Sequence, residues 1–181
     1  SNQLKRVAHS GFQMLGIRQP DTVAEHSWRA AQIGYILAVM EGNANPERVA
    51  SILMMHDMAE TRIGDIHKVT ARYWDKKEAE SQAVAEQISG LGAELEAKWG
   101  EYFSEYSGRR TREGVIAKDA DRLEMAFQAK EYLDQGYKAA ADWIDNVEAA
   151  LETGSARQLI QQMKETEFTD WWQGLKRMTY A

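Results

Sequence analysis

The chain has 181 residues, enough for one domain with a sizeable hydrophobic core, and a formal net charge of −6. This acidic balance argues against nucleic-acid polymers as partners, because DNA- and RNA-binding surfaces need a basic footprint. The sequence contains no cysteine, which excludes disulfides and cysteine nucleophiles and favours a cytoplasmic protein. No apolar run is long enough to span a membrane and no signal peptide is visible, so we expect no membrane partner.

The composition favours helices over strands throughout the chain. Only two prolines occur, whereas Ala, Glu, Gln and Met are abundant, so we expect an all-α fold. Neither a repeat nor a linker interrupts the chain. We therefore predict a single domain over residues 1–181.

The first predicted helix covers residues 4–15, with a break near Gly11. Thr22 and Glu25 have the spacing of a capping box and predict the start of a second helix, which ends at Gly42. The third helix begins with an Asn-Pro pair. The later predicted elements are a helix over 46–60, a turn or loop over 61–68, and helices over 75–88, 93–106, 111–134, 137–152 and 156–169.

The sequence His-Asp-Met-Ala-Glu ends the third predicted helix at residues 56–60. His56 continues the apolar stripe of that helix and should point into the core. On a helix, His56 and Glu60 would be i,i+4 neighbours, and Asp57 and Glu60 i,i+3 neighbours. An isolated His-Asp pair would most simply cap a helix end. Burying these groups is costly, however, unless each has a hydrogen bond, a countercharge or a metal.

Two further helices place ionisable groups on their inward faces. His26 lies on the core stripe of the second helix, and the helix over 111–134 contains Asp119 and Asp121 between apolar residues. His26, His56, Asp57 and one of the two aspartates would form a site with two nitrogen and two oxygen ligands. Such a set suits one divalent ion, either Mn, Co, Fe, Ni or Zn. Helical periodicity does not choose between Asp119 and Asp121.

These residues lie in motifs that resemble the HD-domain metal-dependent phosphohydrolases, and most closely their 5′-deoxynucleotidase branch. The resemblance covers about residues 4–135 and leaves the helices over about 137–173 outside it. Its motifs are LKRV at 4–7, SGF at 10–12, VAEHS at 23–27, HDMAE at 56–60, IGDI at 63–66 and KDADRLEM at 118–125. The branch removes phosphate from deoxynucleoside 5′-monophosphates. The resemblance implies a helical bundle around one divalent metal ion. It adds Mg to the ions that the ligand types suggest, so the candidates are Mn, Co, Fe, Ni, Zn and Mg.

The family's roles carry over through these motifs. His26, His56, Asp57 and Asp121 would hold the metal, so the resemblance selects Asp121 over Asp119. It implies that Glu60 is the catalytic acid/base, acting through a water molecule. It also implies that Asp65, in the Gly-Asp turn, helps to position that water or the sugar.

Substrate contacts are implied less directly, because the chain departs from the family pattern. Phe12 stands where the family has a pocket aromatic, which is usually Trp. Gly11 stands where some members have an Arg that contacts the phosphate. His67 stands where some relatives have proline. Cations that could replace the missing arginine in binding phosphate are Arg18, Arg62, Lys68 and Arg122.

Three alternatives remain open beside a nucleotide monophosphatase. Family members that hydrolyse guanosine polyphosphates tend to have Glu-Asp after His-Asp, whereas this chain has Glu60-Thr61. Dinuclear phosphodiesterases recruit further histidines, and only His9 and His67 are left unassigned. The third alternative is a non-catalytic metal-binding dimer. The resemblance favours a homodimer, and Trp171-Trp172 is expected either to pack internally or, if exposed, to form an association surface.

Overall fold

The computed structural model of the protein describes residues 2–175. The regular secondary structure of that part of the chain is helical, with one isolated antiparallel bridge between Ala8 and Thr22, which confirms the predicted all-α class. Its α-helices are α1 (Ser10–Gln13), α2 (Val23–Glu41), α3 (Pro46–Met55), α4 (Glu60–Ile63), α5 (Lys76–Ile88), α6 (Ala93–Gly108), α7 (Arg112–Asp134), α8 (Ala141–Ala150) and α9 (Gly154–Lys164). Short 3₁₀ turns lie at Asn2–Arg6, Thr70–Arg72 and Lys138–Ala140. Across residues 2–175, no helix is both long and apolar enough to cross a bilayer.

Helix α2 begins and ends where the sequence predicts. The Thr22 hydroxyl accepts a hydrogen bond from the backbone amide of Glu25, and the Glu25 carboxylate accepts one from the Thr22 amide at 2.7 Å. These two bonds satisfy amides that have no partner within the helix. At the other end Gly42 has φ 70°, a left-handed conformation that glycine adopts without a steric penalty.

Helices α2, α3 and α7 pack together and form the centre of the core. Leu37, Ile52 and Leu123 are fully buried there, one from each helix. Gly34 permits the close approach of α2 and α3, because a Cβ atom at this position would lie 2.2 Å from Leu53 Cδ1. This packing brings the inward faces of the three helices within reach of one another.

The N-terminal segment differs from the predicted helix over 4–15. The structure has a 3₁₀ turn at Asn2–Arg6, an extended piece around Ala8 and only the short helix α1. Two contacts with distant residues compete with a continuous helix here. Ala8 pairs with Thr22, and the Ser10 amide donates to Asp65 Oδ2 at 2.6 Å.

The segment from His56 to Glu60 is also not a continuous helix. Helix α3 ends at Met55, residues 56–59 form turns, and Glu60 starts the short helix α4. The predicted loop over 61–68 is therefore helical as far as Ile63 and becomes irregular at Gly64. His56 and Glu60 are therefore not i,i+4 neighbours on one helix, as the sequence predicted, although both residues are buried.

The C-terminal helices are shorter than predicted. Helix α8 ends at Ala150, and α9 begins at Gly154 and ends at Lys164 rather than at residue 169. Asp134 accepts a hydrogen bond from the Phe168 amide, which fixes the chain beyond α9 to the end of α7. Trp171 is 77% exposed and Trp172 is 51% exposed, so neither packs internally.

Candidate metal centre and active site

Four side chains from three segments meet at the end of α3. His26 comes from α2, His56 and Asp57 follow α3, and Asp121 comes from α7. His26 Nε2 lies 3.3 Å from His56 Nε2, 3.5 Å from Asp57 Oδ2 and 3.2 Å from Asp121 Oδ1. His56 Nε2 lies 3.0 Å from Asp57 Oδ2 and 3.7 Å from Asp121 Oδ1. The structure thus brings together all four predicted ligand residues.

The spacing of these atoms fits a shared metal ion. Ligand atoms about 2.1 Å from an ion are about 3.0 Å apart at a right angle and about 3.4 Å apart in a tetrahedron. His26 Nε2 lies 3.3 Å from His56 Nε2 and 3.2 Å from Asp121 Oδ1, both within this range, and 3.5 Å from Asp57 Oδ2, just above it. Two imidazoles and two carboxylates are also suitable ligands for a borderline or hard divalent ion.

Hydrogen bonds on the far side of each imidazole orient both histidines. His56 Nδ1 donates to the Leu53 carbonyl at 2.6 Å, and His26 Nδ1 is hydrogen bonded to the buried carboxylate of Glu124. A neutral imidazole protonated at Nδ1 presents the lone pair of its Nε2 atom. The two Nε2 lone pairs therefore face each other beside two carboxylates. A cation bound among these four groups would stabilise the arrangement.

Glu124 is itself held by Arg29, which was not predicted. Glu124 is 1% exposed, and its Oε1 atom accepts from Arg29 Nε at 2.8 Å. Arg29 also donates to Gln128 and Glu131 on the same helix, α7. The guanidinium thereby balances the buried charge of Glu124 and fixes the orientation of the His26 ring.

Asp121 and Asp119 have different environments although both lie on α7. Asp121 Oδ2 accepts hydrogen bonds from the Tyr106 hydroxyl at 2.6 Å and from Lys118 Nζ at 2.8 Å, which leaves Oδ1 facing the histidines. Asp119 is fully buried and accepts from the backbone amides of Glu152 and Thr153. Asp119 therefore anchors the connection between α8 and α9.

The cluster attracts positive charge. Burial by itself lowers the pKa of His56, but the Asp57 and Asp121 carboxylates raise it to about 9. Burial likewise lowers the pKa of His26, whereas hydrogen bonds to Asp121 and Glu124 raise it well above its usual value. Because protons and metals compete for the same imidazole nitrogen, a bound cation would displace protons from these rings.

Glu60 lies beside the cluster and is 3% exposed. Burial, followed by the negative charges of Asp57 and Asp65, raises the pKa of Glu60 to about 9. Its Oε1 atom lies 3.3 Å from the ammonium of Lys76, the first residue of α5. A buried carboxyl with a raised pKa next to a candidate metal site has the properties of a general acid/base.

Asp65 connects the loop after α4 to α1. Its Oδ2 atom accepts from the Ser10 amide at 2.6 Å, and its carbonyl accepts from the Ser10 hydroxyl at 3.1 Å. Gly64 precedes it with φ 75° and ψ 165°, a conformation that strongly favours glycine. This turn keeps Asp65 close enough to Glu60 to affect its pKa.

The structure places the expected aromatic contact, Phe12, in the core. Phe12 is 1% exposed and its ring packs against the rings of Tyr132 and Trp143. Gly11 adjoins the same tryptophan, because a Cβ atom there would lie 3.9 Å from Trp143 Nε1. As placed, the Phe12 ring has no free face for a nucleotide, which differs from the expectation.

The expected cationic contacts are spread over the surface. Arg18 and Lys68 are exposed, and the His67 ring makes local contacts with Thr70. Arg62 pairs with Glu86, and Arg122 pairs with Asp119 and Glu152. None of these pairs involves a residue of the candidate metal cluster.

Sequence reasoning missed the residues that support the cluster, namely Arg29, Tyr106 and Lys76. Each reaches its partner across a tertiary contact: Arg29 to Glu124, Tyr106 to Asp121 and Lys76 to Glu60. For Lys76 the sequence offered one indication of its position: Asp75 is a helix-capping residue, which places this lysine in the first turn of α5.

Comparisons with known proteins agree with this geometry. The family model of the HD domain matches residues 1–164. The chain belongs to the HD-domain family. It is 27% identical over 171 residues to the 5′-deoxynucleotidase HDDC2 of Homo sapiens, covering 93% of this chain and 83% of that protein. It is 33% identical over 139 residues to the 5′-deoxynucleotidase hdd1 of Schizosaccharomyces pombe, covering 72% of this chain and 68% of that protein.

A solved structure supports the same assignment. The crystal structure of a predicted metal-dependent phosphohydrolase from Magnetospirillum magnetotacticum has a TM-score of 0.71 and 25% identity, covering 91% of this chain and 87% of that one. The predicted resemblance to the 5′-deoxynucleotidase branch of the HD-domain proteins is confirmed. The family consists of metal-dependent phosphohydrolases, so the prediction of a hydrolase is also confirmed.

Proposed function

We propose that this protein is a 5′-nucleotidase that hydrolyses deoxynucleoside 5′-monophosphates to nucleoside and phosphate. The observation that carries the proposal is the convergence of His26, His56, Asp57 and Asp121 beside the buried Glu60. Relatives of this chain are named as 5′-deoxynucleotidases, which supports a deoxynucleotide as the substrate.

The proposed metal site holds one divalent ion, either Mn, Co, Fe, Ni, Zn or Mg, through those four side chains. Two nitrogen and two oxygen ligands leave room for water and a phosphate oxygen on a six-coordinate ion. When bound there, the ion would polarise a phosphoryl oxygen and neutralise the negative charge that develops on it. Glu124, Tyr106 and Lys118 keep the ligand atoms oriented.

Glu60 is proposed as the acid/base residue. Water attacks phosphorus while the bond from phosphorus to the 5′-oxygen breaks, and the water proton passes to the Glu60 carboxylate. The proton taken up by Glu60 then passes to the 5′-oxygen, so the nucleoside leaves with a 5′-hydroxyl and Glu60 returns to its carboxylate form. The raised pKa of Glu60, about 9, makes its carboxylate a stronger base than an exposed one. Added positive charge in the ligand cluster would lower that pKa towards neutrality, where acid/base catalysis is most effective.

Asp65 is proposed to help position the attacking water or the sugar. Its bonds to Ser10 hold the Gly-Asp turn next to Glu60, which supports a role in positioning. His67 and Lys68 follow on the same loop and are proposed to contact the nucleotide. Gly11, Phe12 and Arg18 receive no role in this proposal, because Gly11 and Phe12 adjoin core rings and no contact joins Arg18 to the cluster.

The protein is further proposed to be a cytoplasmic homodimer. Trp28 and Val39, which are 66% and 57% exposed, lie on one face of α2 together with Tyr35 and Ile36. Their positions follow a spacing of seven, one and three residues, so they form a continuous apolar stripe on the helix. Such a stripe is costly in water, and a second copy of the chain would bury it. Cytoplasmic location fits a substrate that arises in intracellular nucleotide metabolism.

A phosphate-release assay over ribonucleoside and deoxynucleoside 5′-monophosphates, repeated with each candidate metal, tests the proposal. We expect metal-dependent release from deoxynucleoside monophosphates and weaker release from the ribose forms. Release only from polyphosphates or phosphodiesters would instead indicate another HD-domain phosphohydrolase. Metal binding without any hydrolysis would indicate a non-catalytic protein.

A further inference from the structure

Lys76 is a cation next to the candidate catalytic carboxylate. Its ammonium lies 3.3 Å from Glu60 Oε1 and 3.3 Å from Glu80 Oε1, and its side chain is 30% exposed. Burial lowers the pKa of Lys76, but the charges of Glu60, Asp57 and Glu80 raise it above the usual value. Lys76 is therefore charged and stands on the side of the cluster where Glu60 is found.

A phosphate monoester dianion would need such a cation. Asp57, Asp121 and Asp65 already bring negative charge to this region, and a divalent ion alone does not balance them together with the dianion. Lys118 also lies at the cluster, but its ammonium is already bound to Tyr106 and Asp121. Three nearby arginines are each paired with carboxylates: Arg29 with Glu124 and Glu131, Arg62 with Glu86, and Arg122 with Asp119 and Glu152.

Lys76 has a donor to spare. An ammonium carries three N–H groups, and two carboxylates, those of Glu60 and Glu80, are within hydrogen-bonding range. The third is left for another acceptor. The Asp75 carboxylate caps the first turn of α5 and so fixes the backbone position of Lys76.

We propose that Lys76 binds the phosphate of the substrate and takes the place of the arginine that some relatives have before the pocket aromatic. This inference rests on the proposed function, since it assumes a phosphate monoester at the metal. The loop from Asp65 to Lys76 then has both ends at the reaction centre: Asp65 at its start and Lys76 at its end. A charge-assisted hydrogen bond from Lys76 would hold the phosphate beside Glu60.

The test compares Lys76→Met, Lys76→Gln and Lys76→Arg with the control Lys77→Met, which removes an exposed lysine from the next position of the same helix. Inorganic phosphate is titrated into each metal-loaded, full-length protein by calorimetry. We expect phosphate binding about 10- to 100-fold weaker in Lys76→Met and Lys76→Gln, close to wild type in Lys76→Arg, and unchanged in Lys77→Met. The KM for a deoxynucleoside monophosphate should rise in parallel.

Lys76→Gln keeps a hydrogen-bond donor for Glu60 but loses the charge. It therefore tests phosphate binding by Lys76 even if Lys76→Met does not fold. Wild-type phosphate affinity in metal-loaded Lys76→Gln, with only kcat reduced, would overturn the proposal and limit Lys76 to positioning Glu60. Absence of phosphate binding by the metal-loaded wild-type protein would overturn it as well. If Lys76 variants lose phosphate affinity while the wild-type protein hydrolyses no nucleoside monophosphate, Lys76 remains a phosphate ligand and the proposed nucleotidase function is wrong.

Discussion

Asp121 and Asp119 are two residues apart on α7, and their carboxylates contact groups on different sides of that helix. Asp121 Oδ1 lies 3.2 Å from His26 Nε2, whereas Asp119 Oδ2 accepts a hydrogen bond from the Thr153 amide at 2.7 Å. Asp121 faces the candidate metal cluster, and Asp119 joins α7 to the start of α9. Their substitutions should therefore affect different properties of the protein.

We expect Asp121→Asn to lose metal and Asp119→Asn to keep it. An amide at position 121 removes a negative ligand, while an amide at position 119 weakens two backbone contacts and should lower the free energy of unfolding by about 1–3 kcal/mol. Metal analysis and thermal denaturation of both purified variants check this. Retained metal in Asp121→Asn together with lost metal in Asp119→Asn would reverse the assignment.

Helical periodicity predicted that two of the four candidate ligand residues are buried, and the structure confirms this for His26 and His56. His26 follows a capping box, and His56 continues an apolar stripe, so burial of both could be expected. Burial alone could not separate Asp119 from Asp121, since both are buried and only their distant partners differ. Family resemblance rather than periodicity selected Asp121.

Long-range contacts explain most of what the sequence did not reveal. Asp65 reaches Ser10 across 55 residues and Ala8 pairs with Thr22, which together replace a continuous N-terminal helix. The Asp75 cap indicates that Lys76 begins a helix, but no local pattern encodes its contact with Glu60 across the preceding loop. In the N-terminal segment, tertiary packing overrides helix propensity.

His56→Ala should abolish the stabilisation that metal gives to the fold. A ligand present at about 100 times its Kd stabilises the native state by about 2.7 kcal/mol, so added metal should raise the wild-type Tm. In His56→Ala the Tm should not respond to metal, because the ring that bridges Asp57 and Asp121 is gone. His67→Ala, which removes a histidine from the loop, is the matched control and should keep the metal response. A stoichiometric ion in purified His56→Ala would contradict the site.

Tyr106→Phe should weaken metal binding without unfolding the protein. The Tyr106 hydroxyl donates to Asp121 Oδ2 at 2.6 Å, and loss of such a bond to a metal ligand typically costs about 10- to 100-fold in metal affinity. Tyr102→Phe is the control, because it removes a hydroxyl from the same helix while keeping the ring that lies against Arg48. Competition with a metal indicator dye measures both affinities. Equal affinity in the two variants would show that Tyr106 does not support the ligand.

Val39→Lys should convert the proposed homodimer into a monomer. It places a charge in the exposed stripe of α2, where a partner copy would have to bury it. Met54→Lys changes an equally exposed apolar residue on α3 and should leave the association unchanged. Light scattering during size-exclusion chromatography gives both masses. A wild-type protein that is monomeric at all concentrations would remove the dimer from the proposal.

Glu60→Gln should separate metal binding from turnover. Glu60 is buried beside the cluster, but the four ligand atoms already come from other residues, so the variant should fold and keep its metal. A glutamine cannot accept the proton of water, and loss of one general acid/base residue typically costs about 10²- to 10⁴-fold in rate. We therefore expect kcat to fall by this amount while KM changes little.

The control is Glu86→Gln, since Glu86 is an exposed carboxylate that pairs with Arg62 outside the cluster. Metal content and hydrolysis of a deoxynucleoside monophosphate are measured on the same sample of each variant. Full metal with near-normal turnover in Glu60→Gln would remove Glu60 from the mechanism and make Asp65 the acid/base candidate. Loss of metal together with turnover would instead make Glu60 a metal ligand, because its carboxylate would then be needed to hold the ion.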